Sequence, residues 1–363
     1  MIEFGLVLLL LQPVPSTVLD GSTHGEQHLL YVAAPGIRND LQYGGAGILV
    51  FDIDHGHTFV KQIEPAASRQ PKPEAIKGIC ANAATQRLYL STPTKLYCLD
   101  LRTNQPVWER APRGGCDRMS MTPDGRQLFV PSLEGPHWNV VDAATGDIVS
   151  KIETGSGSHN TVCSLDGSQA YLAGLRSPFL IVWDIPSQKV VNRVGPFGGS
   201  IRPFTVNAAR TRCFVTVNDL LGFEVGDLQT GKFLHRVEVS GFQKGPTRRH
   251  GCPSHGVGLT PDEREIWVRD AANSRVHVFD AASVPPRQTA SIKLREQPGW
   301  VTFSIDGRFA YPSTGDVVDT RTKKIVAGLR DEAGREVHSE KLLEIDFKDG
   351  VPIRAGDQFG LGR

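Results

Sequence analysis

Seven times along this chain an apolar run closes on an aspartate: VFD at Asp52, CLD at Asp100, VVD at Asp142, VWD at Asp184, VGD at Asp227, VFD at Asp280 and VVD at Asp319. Successive aspartates stand 48, 42, 42, 43, 53 and 39 residues apart. A period of about 40–50 residues built from four short strands is the mark of a β-propeller, one blade per repeat. Residues 254–280 display one unit. Ser254-His255 opens a short apolar strand to Leu259, and 260–263 reads as a tight turn, with Pro261 presetting φ and Asp262 capping the backbone. Strands Glu265–Arg269 and Val276–Asp280 follow. One blade cannot bury both of its faces alone, so the copies must stack in a ring.

The turns recur with the strands. TPDG at 122–125, SLDG at 164–167, TPDE at 260–263 and SIDG at 304–307 mark the end of the inner strand, and ATG at 144–146, QTG at 229–231 and RTK at 321–323 follow the third. A His entering the inner strand, a PDG-type turn, and an apolar run closing on Asp and then TG together resemble the YVTN-type bacterial seven-bladed propellers. The resemblance covers nearly the whole chain and implies an all-β, seven-bladed fold of four-stranded antiparallel blades. It implies little about activity, because one fold hosts many chemistries and many pure binders.

At 363 residues length alone allows two domains; the repeat reads instead as one propeller over residues 21–363. Lys and Arg number 40 and Asp and Glu 39, so no charge excess drives nucleic-acid or anionic-membrane binding. Residues 1–20 carry an apolar run from Gly5 to Leu11, too short to span a bilayer. They read as a secretory signal peptide or an N-terminal tail, and the expectation is a monomeric protein, secreted or periplasmic. The six cysteines lack the CxxC spacing of zinc or redox motifs. Cys80, Cys98, Cys163 and Cys213 fall in strands as buried thiols. Cys116 and Cys252 fall in loops, where a disulfide or a metal would hold them.

The first visible blade begins at its second strand, Leu29 to Ala33. Near the other end, HSEKLLEIDFKDG at 338–350 looks like an inner strand and its turn with no second strand after it. The C-terminal stretch Leu342–Phe347 is therefore expected to complete the first blade and close the ring.

All inner strands start on one face and line the central channel. Counting back seven positions from the turn Asp or its equivalent gives Lys77, Asp117, His159, Arg202, His255 and Gly299, the last beside Trp300. His338, Glu340 and Lys341 neighbour the same level in the closing strand, and Arg118 follows Asp117. Loops between second and third strands add His137, Trp138, Tyr43 and Arg38. Convergent titratable groups in a concave mouth are the default site hypothesis; the competing reading is a ring of solvated charges paired across a water-filled channel. His159, His255 and Arg202 are the catalytic candidates. Lys77, Asp117, Arg118, Trp300, His137, Trp138, Tyr43 and His338 are the ligand-binding ones, the two Trp rings as stacking surfaces for a sugar.

Three chemistries fit. The first is binding, with lyase or glycoside-hydrolase cleavage as the added step, of a small anionic or carbohydrate ligand. Arg202 and Lys77 would hold a carboxylate, and one His would act as base and the other as acid. The alternative is a recognition module without catalysis. The third is a metal centre drawn from His250, Cys252, His255, Cys116, His159 and Asp117. No GxSxG, P-loop, GxGxxG or EF-hand pattern occurs, and the sequence names no cofactor.

Overall fold

The computed structural model describes residues 25–37, 42–65 and 72–360. The apolar N-terminal run and Arg38 lie outside them. Seven antiparallel sheets form the ring, six of four strands and one of five, and the described residues contain no helix. None is therefore long and apolar enough to cross a membrane.

The repeat signatures are turn chemistry. Hydroxyls of Thr122, Ser164 and Thr260 donate to the aspartate two residues on at 2.6 Å, and Ser304 does so at 2.7 Å. Each hydroxyl also accepts the N–H of the first residue of the second strand, Gln127, Gln169, Glu265 or Phe309. The turn thus sets where the inner strand ends and the second begins. The fourth turn residue adopts a left-handed backbone, with φ 71°, 72° and 73° at Gly125, Gly167 and Gly307, and 58° at Glu263, where TPDE lacks the glycine. Aspartates closing the third strands cap the next turn. Asp100, Asp142 and Asp227 each accept two backbone N–H groups through Oδ1.

Ring closure joins the two ends of the chain. Leu342–Lys348 pairs antiparallel with Glu26–Ala34, Tyr31 opposite Leu343 and Leu29 opposite Ile345. Leu343, Ile345 and Phe347 pack into a cluster shared with Tyr31, Ile79 and Leu90 of the first two blades. One expectation is corrected. After the Asp349-Gly350 turn the chain forms a further strand, Val351–Ala355, on the inner edge of that sheet. The short, partly exposed run VPIRA lacks the apolar signal of a buried strand.

Beyond that strand the chain crosses the channel. The Trp300 indole N–H donates to the Gln358 carbonyl at 2.7 Å, and the Gln358 amide donates to the Met119 carbonyl at 2.8 Å, bridging the seventh and third blades. Phe359 meets the Trp300 ring edge-on at 5.9 Å. The inner-turn side of the channel is thereby plugged, which leaves the opposite mouth as its opening.

All six cysteines are buried thiols. Cys116 and Cys252 form no disulfide. Cys116 belongs to the core between the second and third blades, and the Cys252 thiol donates to the Val217 carbonyl at 3.3 Å. Both loop cysteines face packed interior, so neither offers sulfur to a metal at the mouth.

Candidate ligand site at the channel mouth

Lys77, Asp117, His159, Arg202 and His255 line one cavity of about 410 Å³ at the mouth. They come from five consecutive blades, two to six. The constant spacing to the inner turn places each at the same level near the start of its inner strand, so the ring brings them together. Gly299, the sixth position, has its place filled from elsewhere. A Cβ there would stand 1.9 Å from Glu340 Oε1 and 3.2 Å from His250 Nε2.

Two polar clusters occupy the cavity. In the first, His159 Nδ1 donates to Asp117 Oδ2 at 2.9 Å, which leaves Nε2 as the nitrogen with a lone pair. Burial opposes ionisation of Asp117, but His159, Lys77 and Arg118 outweigh it and hold its carboxyl below the usual range. The second centres on Glu340. Its Oε1 accepts from His250 Nε2 at 2.6 Å, and its Oε2 lies 3.0 Å from Lys341 Nζ and 3.4 Å from Arg118 Nη2. Burial favours the neutral acid, yet His250 and Lys341 keep Glu340 ionised. Burial lowers Lys341 to about 7 and Arg118 to about 10.

His255 stacks on His250, ring centroids 4.0 Å apart and planes 10° from parallel, and its Nδ1 donates to the Gly299 carbonyl at 3.3 Å. Burial, the adjacent His250 and Arg269 hold His255 well below its ordinary range, and burial takes His250 to about 4. Both rings are neutral at pH 7. His159 and His255 face each other at 6.5 Å.

Four cationic side chains, Lys77, Arg118, Arg202 and Lys341, line the cavity, against Asp117 and Glu340 inside and Glu134 at the exposed rim. The two interior carboxylates are both paired. Arg202 is steered by its Nε bond to Asn218 Oδ1 at 2.7 Å. Among the described residues, its outer nitrogens and Lys77 Nζ have no protein partner. Arg118 Nη1 and Asn160 Nδ2 are buried and also without one.

The remaining expected ligand contacts lie elsewhere. Trp138 is fully buried in the core between the third and fourth blades, its indole N–H on Thr161 Oγ1 at 2.8 Å, because the third strand already starts at His137. His137 does not line the cavity. Trp300 is 1% exposed and lies beneath the floor, with the Arg118 guanidinium stacked on its ring at 3.5 Å. Neither Trp ring can stack on a ligand. Tyr43 and His338 stack on each other at 3.8 Å, and both bond Glu296 at 2.8 Å.

Arg249 completes that group. It bonds Glu296 at 3.2 Å and the Tyr43 hydroxyl at 2.9 Å. The clamp anchors the long loop 240–253 beside the mouth and so delivers His250, the next residue, with φ 66°. Glu296, Arg249 and the buried Arg269 were not singled out in the sequence; the length and basic charge of the loop 240–253 are a signal for Arg249 alone.

His250, His255 and Glu340 offer ligand atoms that all lie within 4.8 Å of one another. Of the mixed His/Cys set weighed from sequence, His250 and His255 belong to this group, and Glu340 joins them. No family model matches the chain, and no curated protein is found similar to it.

Proposed function

We propose that the channel mouth binds a small anionic ligand, a carboxylate-bearing sugar of the uronate class, and that His159 acts on it as a general base. One observation carries the reading: the interior carboxylates are already paired, while Lys77, Arg202 and the buried Arg118 Nη1 present donors with no protein partner. Unsatisfied buried donors are costly, and an oxyanion satisfies several at once, with the planar Arg fork suited to a carboxylate. The cavity volume falls in the range of small-molecule pockets.

The His159–Asp117 pair supplies the base. Asp117 fixes the tautomer and stabilises the charged ring, the role a carboxylate plays behind a catalytic His. A lone-pair Nε2 above a bound uronate suits removal of the proton α to its carboxylate, the first step of β-elimination. His255, neutral, lines the same cavity with its ring 6.5 Å from that of His159. The proposal includes a YVTN-type propeller, on the strength of its turn chemistry, that is exported and monomeric; N-terminal sequencing of the mature protein tests export.

The test is turnover of uronate polysaccharides, followed by absorbance of the unsaturated product. His159→Ala should slow it roughly 10²–10⁴-fold, the usual worth of a general base. Uronates that bind but never turn over would leave a recognition module. A rate unchanged in His159→Ala would remove the base assignment.

A further inference from the structure

We propose that His250, His255 and Glu340 form a binding site for a divalent first-row metal ion of the zinc or cobalt type, at the floor of the mouth. Two imidazoles and one carboxylate are a recurrent donor set for such ions. Here they converge, with ligand atoms within 4.8 Å of one another. The three come from separate parts of the chain: the long loop, the start of an inner strand, and the segment leading into the closing strand.

The surroundings hold each donor in a ligating pose, as outer partners do in metal sites. His255 Nδ1 donates to the Gly299 carbonyl, which fixes Nε2 as its lone-pair nitrogen. Glu340 Oε2 is held by Lys341 and Arg118, so Oε1 is the oxygen turned toward His250. His250 is kept in a left-handed backbone conformation, rare outside Gly and Asn, by the adjoining Arg249 clamp. Position 299 must be glycine, because a Cβ there would strike Glu340 Oε1. A plain ion pair would not require two stacked imidazoles and an emptied ring position. On binding, the proton that His250 donates to Glu340 shifts to Nδ1, so the neutral ring offers its Nε2 lone pair to the metal with no net release of a proton.

Arg118 and Lys341 flank the triad, so the cation is held by its three ligands and not by the field of the cavity. An anion completing the coordination sphere would restore charge balance. The nature of that anion rests on the uronate reading above; the metal site does not.

The experiment is calorimetric titration of the chelator-stripped full-length protein with Zn²⁺ and, separately, Co²⁺, with no organic ligand present. The expected result is one saturable equivalent and a raised melting temperature. Glu340→Gln and Gly299→Ala should weaken binding by at least roughly 10–100-fold, the loss seen even for outer-shell partners, and His250→Ala by more. His159→Ala should leave it unchanged. Circular dichroism checks folding of each variant, and Glu340→Gln, the nearest in shape, decides if His250→Ala unfolds. Absence of a stoichiometric site for either ion, or full binding in folded Glu340→Gln, overturns the proposal. Uronate binding by metal-free protein would overturn nothing in the preceding section while this site failed.

Discussion

Ending the chain after Arg335 should destroy the fold. The deletion removes Leu342, Leu343, Ile345 and Phe347, each 6% exposed or less. Burying such side chains contributes about 1.5–3 kcal/mol each, so together roughly 6–12 kcal/mol, against a net stability of about 5–15 kcal/mol for a typical protein. The loss therefore matches the whole margin before any backbone pairing is counted. It also strips the partner from Glu26–Ala34 and leaves an apolar sheet edge open to other chains. Size-exclusion chromatography and thermal melts of the truncated protein provide the assay. A second chain ending after Gly350 keeps the closing strand and loses the last strand and the plug; it should fold, with a lower melting temperature. A protein ending at Arg335 that stays soluble and melts cooperatively at the full-length temperature would refute ring closure as the source of stability.

Two further outcomes follow from buried groups. Thiol counting in denaturant without reductant should find six free thiols, and the native protein should react slowly with thiol reagents because all six are buried; fewer than six would reinstate a disulfide. Glu344, buried beside Asp346, has its carboxyl pushed up to about 8, first by burial. A carboxyl raised in the folded state stabilises below its unfolded value and loses that contribution as pH rises toward 8. Glu344→Gln, which keeps an acceptor for the Ile305 N–H, should therefore melt higher than the parent at pH 8.5 and near it at pH 5. Equal melting at both values would show that the carboxyl is not strained by ionisation.

Ring level was legible because turn chemistry repeats. The Thr/Ser-x-Asp bonds, with Asn82 and Asn207 in the hydroxyl's place in the second and fifth blades, fix where each inner strand ends, so a fixed count backward reaches Lys77, Asp117, His159, Arg202 and His255. The same count reached Gly299 but could not say what fills its place. His250 arrives there on a loop whose path depends on Arg249 bonding Glu296 and Tyr43, and those residues are far apart in sequence. Trp300 was misread for a similar reason. Its register puts it near the mouth, while Gln358 and Phe359 cover it from below. Trp138 failed more locally: EGPHWN looks like loop, yet pairing with Pro131 starts at Trp138 itself and turns its ring inward.

The central claim is that one pocket, built from equivalent positions of successive blades, selects an anion. Calorimetric titration with galacturonate and glucuronate, each against its neutral hexose, tests it most directly. The account predicts that the uronates bind and the neutral sugars do not. Arg202→Ala and Lys77→Ala should each weaken uronate binding roughly 10- to 150-fold, the worth of one hydrogen bond to a charged group, and Arg264→Ala on the exposed inner turn should leave it alone. Equal affinity for charged and neutral sugars, or uronate binding indifferent to both pocket substitutions, would contradict it.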